Sequence, residues 1–246
     1  MKKDNKAFKR KSEGFYFVLT VISMFLAVIA ILLSSFQVAI YGDHEYKFYK
    51  TEYEKYTVTE SLNMEIDDVM YVTEYMMDYL IGKETELSVE TMVDGRKQDF
   101  FNEQDRLHMA DVKNLFLGGL KLRNILVLTA GVLLAMLLIM KADVRSMLFK
   151  SYGIAMAVFA ALIAFLGVAF VIDFTKCFTI FHELFFTNDL WMFDPEKDYM
   201  IRMLPEGFFS DMVIRIGIVF LGGLILLGIL VFAIRCRLRS QSSEDS

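Results

Sequence analysis

The chain has 246 residues, of which 55% are hydrophobic, and a mean hydropathy of +0.42; this apolar fraction is typical of a protein that lies partly in a lipid bilayer. Its two cysteines and three histidines exclude a disulfide framework and a four-cysteine structural zinc site. A formal net charge of −5 leaves no general basic surface, so we expect no nucleic-acid partner.

Four apolar stretches are long enough to cross a bilayer: residues 15–40, 119–140, 153–172 and 212–234. About 20 residues of α-helix span the hydrocarbon layer, and a chain in that layer must be helical because its backbone groups find no other hydrogen-bond partners. No charged residue lies in the middle of any stretch. The pattern predicts a membrane all-α fold in which four transmembrane helices form a bundle.

Lysine and arginine are concentrated in three segments that flank these stretches. They occur in residues 1–14, in the short connection 141–152 and in residues 235–246. Basic flanks mark the cytoplasmic side of a membrane, so both terminal tails are predicted to be cytoplasmic. Residues 41–118, with 18 acidic and 8 basic residues, and residues 173–211, with 8 acidic and 3 basic residues, are then extracytoplasmic. We therefore expect a multi-pass protein of the cell membrane.

The first extracytoplasmic segment, 41–118, is too polar for lipid and contains signals for both a helix and a hairpin. Apolar residues at helical spacing begin at Ile66, and Gly82 provides a helix end. Alternating apolar residues then precede Asp94-Gly95, a pair that is typical of tight hairpin turns. The segment is therefore predicted to form a small mixed α/β extracytoplasmic cap.

The second extracytoplasmic segment, 173–211, mixes closely spaced phenylalanines with polar residues. Aromatic side chains at this density are typical of the membrane–water interface, so we predict an interfacial segment. His182 lies in it, soon after the third span. Asn102 is predicted to cap the helix that leads into the second span, and that helix brings His108 to the same side of the membrane.

Two of the three histidines are thus predicted to meet at a similar depth on the extracytoplasmic side. Histidine can accept a proton in one state and donate it in another, which suits proton transfer at an ester or amide. Asp111 lies one helical turn from His108, where a carboxylate could orient the ring and stabilise its imidazolium form. The alternative is that His108 and His182 only cap or pack at the interface.

Other chemistry competes for the same residues. His108 and His182 with Asp111 or Asp189 could form a zinc site. The zinc-peptidase helix motif is incomplete, because Phe186 stands where the second histidine would be required. The sequence also has no G-x-S-x-G elbow and no phosphate-binding glycine loop. A zinc-dependent membrane hydrolase and a non-catalytic scaffold or sensor remain alternatives to an acid–base enzyme.

Two regions of the sequence contain distinctive motifs: His108-Met109-Ala110-Asp111-Val112-Lys113 and Phe181-His182-Glu183-Leu184-Phe185-Phe186, followed by Asn188-Asp189, Trp191 and Leu204-Pro205-Glu206. In these motifs and in its four-span layout, the sequence resembles the lipoprotein intramolecular transacylases of Gram-positive bacteria.

The resemblance implies an acyl transfer within one lipoprotein. The sn-2 acyl chain of the diacylglyceryl-cysteine moves to the α-amine of the same cysteine, and a lyso-form lipoprotein results. The lipidated N-terminus of bacterial lipoproteins and membrane phospholipid are then the partners, with no cofactor and no metal. The two histidines of the family correspond to His108 and His182, as catalytic residues. We further predict supporting or substrate-binding roles for Asp111, Asn188, Asp189 and Trp191.

Overall fold

A computed structural model describes residues 2–244, with side chains from residue 12 to residue 236. Met1 and residues 245–246 of the predicted cytoplasmic tails lie outside the described residues. The elements in chain order are α1 (Lys2–Tyr41), α2 (Lys47–Lys55), α3 (Val58–Leu62), α4 (Ile66–Leu80), β1 (Glu90–Val93), β2 (Arg96–Asp99), α5 (Glu103–Ile139), α6 (Val144–Ile172), α7 (Phe174–Phe185), α8 (Tyr199–Met203) and α9 (Glu206–Glu244).

Four of these helices, α1, α5, α6 and α9, are long and apolar enough to cross a membrane. Their candidate spans have between 29 and 37 residues, and their most apolar windows have mean hydropathies between 2.2 and 2.8. The sequence prediction of four transmembrane helices with a small mixed α/β segment is confirmed. Each helix extends beyond its predicted apolar stretch, because helical hydrogen bonding does not have to end where the hydrocarbon layer ends.

The chain divides into two compact units. The first comprises Met1–Phe36, Lys121–Val168 and Gly217–Ser246, and the second comprises Gln37–Leu120 and Ala169–Ile216. Within the first unit, parts of α1, α6 and α9 share a buried cluster: Met24, Val28, Ala155, Phe159, Phe220, Leu224 and Val231. Helices α6 and α9 are also joined by a 3.0 Å hydrogen bond that the Tyr152 hydroxyl donates to the Leu224 carbonyl.

The second unit has a core of its own, in which α4 packs one apolar face. Its fully buried side chains include Tyr53, Val58, Leu62, Val69, Val72, Met76, Val93, Phe100, Phe101 and Met203. Helix α4 ends as predicted: Gly82 has a φ of 83°, and the N–H groups of Gly82 and Lys83 donate to the carbonyls of Tyr79 and Asp78. This pair of bonds is a Schellman motif, in which glycine takes the left-handed position without strain.

The predicted hairpin is present in the second unit. Strands β1 and β2 are antiparallel, and Val93 pairs with Arg96 across a two-residue turn. Asp94 and Gly95 both have a positive φ, of 50° and 71°, as a type I′ turn requires. The guanidinium of Arg202 in α8 donates two hydrogen bonds, of 2.8 and 3.0 Å, to the Asp94 carboxylate. The turn is therefore tied to the segment that follows α7.

Helix α5 begins with reciprocal side-chain caps. The N–H of Asp105 donates to the Asn102 side-chain oxygen at 3.0 Å, and the Asp105 carboxylate accepts from the N–H of Asn102 at 2.9 Å. The predicted Asn102 cap is thus present. The Asn102 amide also donates to Asp198 at 2.6 Å. These bonds fix the first turn of α5 and, with it, the position of His108.

Candidate active site

The structure brings His108 and His182 together in the second unit. Their ring centroids lie 6.1 Å apart, with the ring planes inclined by 29°. Helix α5 supplies His108 and helix α7 supplies His182. Only 6% of His108 and 8% of His182 is exposed. The site is therefore a buried pair of imidazoles from α5 and α7, two helices that are separated in the sequence by α6.

The tautomer of His182 follows from its hydrogen bond. Its Nδ1 atom lies 2.7 Å from the carbonyl oxygen of Phe178, one turn earlier in α7. A carbonyl can only accept, so Nδ1 carries the hydrogen and Nε2 holds the basic lone pair. Burial lowers the pKa of His182 below its usual value of 6.5, and the bond to Phe178 opposes that effect in part. His182 is therefore a neutral base at pH 7.

His108 has a different environment. Its Nδ1 atom is buried and has no hydrogen-bond partner among the described residues. The rings of Phe186 and Phe193 form T-shaped contacts with its ring, with centroid distances of 5.2 and 5.3 Å. Polar atoms that are buried without a partner are rare in folded proteins because they forfeit hydrogen bonds to water. This nitrogen is thus available to a bound molecule that offers a donor or an acceptor.

Aromatic side chains enclose His182. Phe178 is the nearest, with a centroid distance of 4.2 Å, and Trp191 stacks on the imidazole at 4.9 Å with a 29° inclination. Phe181 and Phe186 complete the enclosure at 5.4 and 5.6 Å. These rings exclude water from the imidazole, which is the physical cause of its lowered pKa. Of the four, only Trp191 was predicted individually as a site residue.

Asp111 and Asn188 are bonded to each other. The side-chain amide of Asn188 donates to the Asp111 carboxylate at 2.9 Å, and its oxygen accepts from the N–H of Leu190 at 3.1 Å. The hydrogen bond of Asp111 thus goes to the loop after α7 rather than to the ring of His108. Asp189 is exposed, and its backbone carbonyl accepts from the N–H of Met192 at 3.1 Å.

Gln104 is a residue of the site that no sequence motif predicts. Its side-chain amide donates to the carbonyls of Leu190 and Met192, in each case at 3.0 Å. Gln104 lies one turn before His108, on the same face of α5. The four-residue spacing places Gln104 on the same helical face as His108, but its partners are backbone carbonyls, and a side-chain pattern in the sequence does not identify such partners.

A group of three or more histidine, cysteine, aspartate or glutamate side chains that could hold a metal ion is not found within residues 12–236. Cys177 and Cys236 are free thiols. The site consists of two imidazoles, aromatic rings and hydrogen-bonded amides, and these groups are suited to moving protons and to holding apolar chains.

The fold and the site define an integral membrane protein that buries a histidine pair outside its apolar stretches. The family model of the lipoprotein intramolecular transacylase Lit matches residues 21–209, and the chain belongs to this family. It is therefore an acyltransferase of the membrane.

Solved structures from Bacillus cereus share the fold. The lipoprotein intramolecular transacylase Lit of that organism superposes with a TM-score of 0.75 at 24% identity, over 92% of this chain and 99% of the other. A form with a histidine replaced by arginine has a TM-score of 0.74 at 24% identity, over 98% and 100% of the two chains. A form with alanine in place of a histidine has a TM-score of 0.71 at 24% identity, over 96% of this chain and 99% of the other. No curated protein sequence matches this chain.

Proposed function

We propose that this protein transfers the sn-2 acyl chain of a diacylglyceryl-cysteine lipoprotein to the α-amine of the same cysteine. An amide bond forms between the α-amine and the acyl carbon, and the ester bond to the glyceryl oxygen breaks. The product is a lyso-form lipoprotein. The single observation that carries the proposal is the buried pair of His108 and His182, in which His182 is neutral and has a basic Nε2.

His182 acts as the general base in this proposal. An α-amine has a pKa of about 7.7 to 8.0, so part of it is neutral near pH 7 and can attack the ester carbonyl. The nitrogen becomes acidic as it bonds to the acyl carbon, and its proton passes to Nε2 of His182. His182 then passes this proton to one nitrogen of His108, while the N–H on the other nitrogen of His108 protonates the departing glyceryl oxygen, so both imidazoles end neutral. Protons and bonds balance without a cofactor. Nucleophile and ester belong to one molecule, and the site gains rate by holding them in the reactive geometry.

The exposed face of α7 supports a substrate that arrives from the lipid. Ile180, Phe181, Leu184 and Phe185 are large apolar side chains with exposed fractions of 52%, 43%, 74% and 49%. Helix α7 follows the candidate span α6 after a single residue. An amphipathic helix with such a face lies in the interface between headgroups and acyl chains. In this position α7 contacts membrane phospholipid and holds His182 near the depth of the substrate ester.

We place the second unit on the extracytoplasmic side and both terminal tails in the cytoplasm. The support for this orientation is the excess of lysine and arginine in residues 1–14, 141–152 and 235–246. Reporter fusions after Gly42 and Asp198 are expected outside, and fusions after Lys141 and Ser240 inside. One reversed fusion would contradict the orientation.

Mass spectrometry of a synthetic substrate tests the reaction. A diacylglyceryl lipopeptide with a labelled sn-2 chain is incubated with the purified protein, and the label is expected in an N-terminal amide of the lyso-form product. The matched control has an acetylated α-amine, which offers no nucleophile. Release of labelled fatty acid from both substrates would identify a hydrolase instead. An unchanged substrate would favour a scaffold or sensor.

A further inference from the structure

Two side chains of α5 hold the loop 188–192, which follows α7. The Asp111 carboxylate accepts from the side-chain amide of Asn188 at 2.9 Å. The Gln104 amide donates to two carbonyls of the loop at 3.0 Å. Positions 104 and 111 are seven residues apart, which is about two helical turns, so both side chains lie on one face of α5 with His108 between them.

Trp191 lies between the two carbonyls that Gln104 holds. These carbonyls belong to its neighbours Leu190 and Met192, so the Gln104 amide binds both sides of the tryptophan. The indole ring is stacked on the imidazole of His182. The hydrogen bonds from α5 thereby restrict the position of the Trp191 ring, and Trp191 in turn covers His182.

We propose that Gln104, Asp111 and Asn188 are positioning residues that hold Trp191 against His182. The proposal rests on the role of His182 as the base of the acyl transfer. In this arrangement, the hydrogen bond of Asp111 acts through the loop. An indole fixed on the imidazole keeps water from that face of the ring and restricts its orientation, which is what a base in a preorganised site requires.

The two possible roles of Asp111, through the loop or through its charge, predict different values of kcat for Asp111→Asn. An asparagine side chain still offers an oxygen to the Asn188 amide, whereas it has no charge to stabilise an imidazolium. Asp111→Ala removes the acceptor altogether. If Asp111 positions the loop, Asp111→Ala lowers kcat about 10-fold while Asp111→Asn loses much less, because only the first change leaves the amide without a partner. If Asp111 acts by charge, the two variants lose equally.

The stack can be observed without any reaction. Trp191 is the only tryptophan of the chain, so intrinsic fluorescence reports this ring alone. We expect acrylamide to quench Trp191 more strongly in Asp111→Ala and in Gln104→Ala than in the unmodified protein. Glu183→Ala serves as the matched control, since it removes an exposed carboxylate next to His182. Asn188→Asp sets two carboxylates against each other and is expected to increase the quenching. Adding Asp111→Asn supplies a donor again and is expected to restore the low quenching.

The combined experiment uses the full-length protein in detergent, first without substrate and then with the diacylglyceryl lipopeptide. The expected result is greater quenching in Asp111→Ala and in Gln104→Ala, and low quenching in the double variant Asp111→Asn with Asn188→Asp. Unchanged quenching in Gln104→Ala and Asp111→Ala would overturn the proposal, and so would equal losses of kcat in Asp111→Ala and Asp111→Asn. Gln104→Ala is an independent test if Asp111→Ala does not fold. If quenching increases in these variants but the unmodified protein does not transfer the acyl chain, the loop contacts are supported and the proposed reaction is rejected.

Discussion

The Nδ1 atom of His182 donates a 2.7 Å hydrogen bond to the carbonyl oxygen of Phe178. This bond connects ring and backbone within one helix, one turn apart. It selects the tautomer in which Nε2 can accept a proton. Burial lowers the pKa of the same ring, which keeps this nitrogen unprotonated at neutral pH.

The first prediction concerns pH. Because the pKa of His182 lies below 6.5, the imidazole is neutral at pH 7 and becomes protonated only in more acidic solution. The value of kcat/KM should therefore fall as the pH drops through a midpoint below 6.5. The α-amine of the substrate titrates near pH 7.7 to 8.0 and gives a separate, more basic step. The measurement is kcat/KM for the lipopeptide across both steps. A profile with the amine step alone would contradict the assignment of His182 as base.

The histidine pair itself is tested by substitution. Replacing His108 or His182 with alanine should lower kcat by roughly 10² to 10⁴, since each removes one proton transfer. The double variant should lose little more than either single variant, because the two groups act in one step. His44→Ala is the matched control: this third histidine is exposed in the loop after α1. Losses that multiply in the double variant would indicate independent roles for the two residues.

Chelation is expected to have no effect. The proton transfers assigned to His108 and His182 require both rings to be free of metal, and Asp111 is already bonded to Asn188. Transacylation rates before and after dialysis against EDTA should therefore agree. Metal analysis of the purified protein provides the control. A loss of rate that zinc restores would support the metal-dependent hydrolase considered above.

The apolar face of α7 gives a prediction about membrane binding. Leu184→Glu introduces a charge on a side chain that is 74% exposed, and we expect KM for a vesicle-bound substrate to rise roughly 10-fold. Leu184→Met should leave KM unchanged because it preserves the apolar surface. Lys176→Gln changes the net charge by the same −1 elsewhere on α7. An equal rise of KM in Lys176→Gln would show that net charge, not the apolar face, determines binding.

Gly207 offers a test of packing in the second unit. A Cβ atom at this position would overlap the ring of Tyr56, whose hydroxyl donates a 2.6 Å hydrogen bond to Asp211. We expect Gly207→Ala to lower the free energy of unfolding by about 1–3 kcal/mol, because the ring must move. Gly217→Ala lies on the same helix, where an added Cβ meets nothing within 4 Å. Thermal unfolding in detergent compares the two variants, and equal midpoints would contradict the contact.

Several features could be predicted from the sequence because their causes are local or imposed by the bilayer. The thickness of the hydrocarbon layer and the lack of water in it require about 20 helical residues for each span, so hydropathy alone locates four. The end of α4 at Gly82 and the turn at Asp94-Gly95 depend on backbone conformations that few residues adopt. Asn102 caps α5 through a partner only three residues away. The meeting of His108 and His182 followed from the order of the spans.

The remaining parts of the site were decided by tertiary structure. The bond between Asp111 and Asn188 joins residues that are 77 positions apart, and the Gln104 amide binds carbonyls more than 80 positions away. Such contacts depend on how α5 and the loop after α7 pack. A carboxylate one turn from a histidine has several possible partners, and only the packed chain selects one. The order of the spans therefore identified the two histidines, whereas the packing of the second unit determined the groups that hold and cover them.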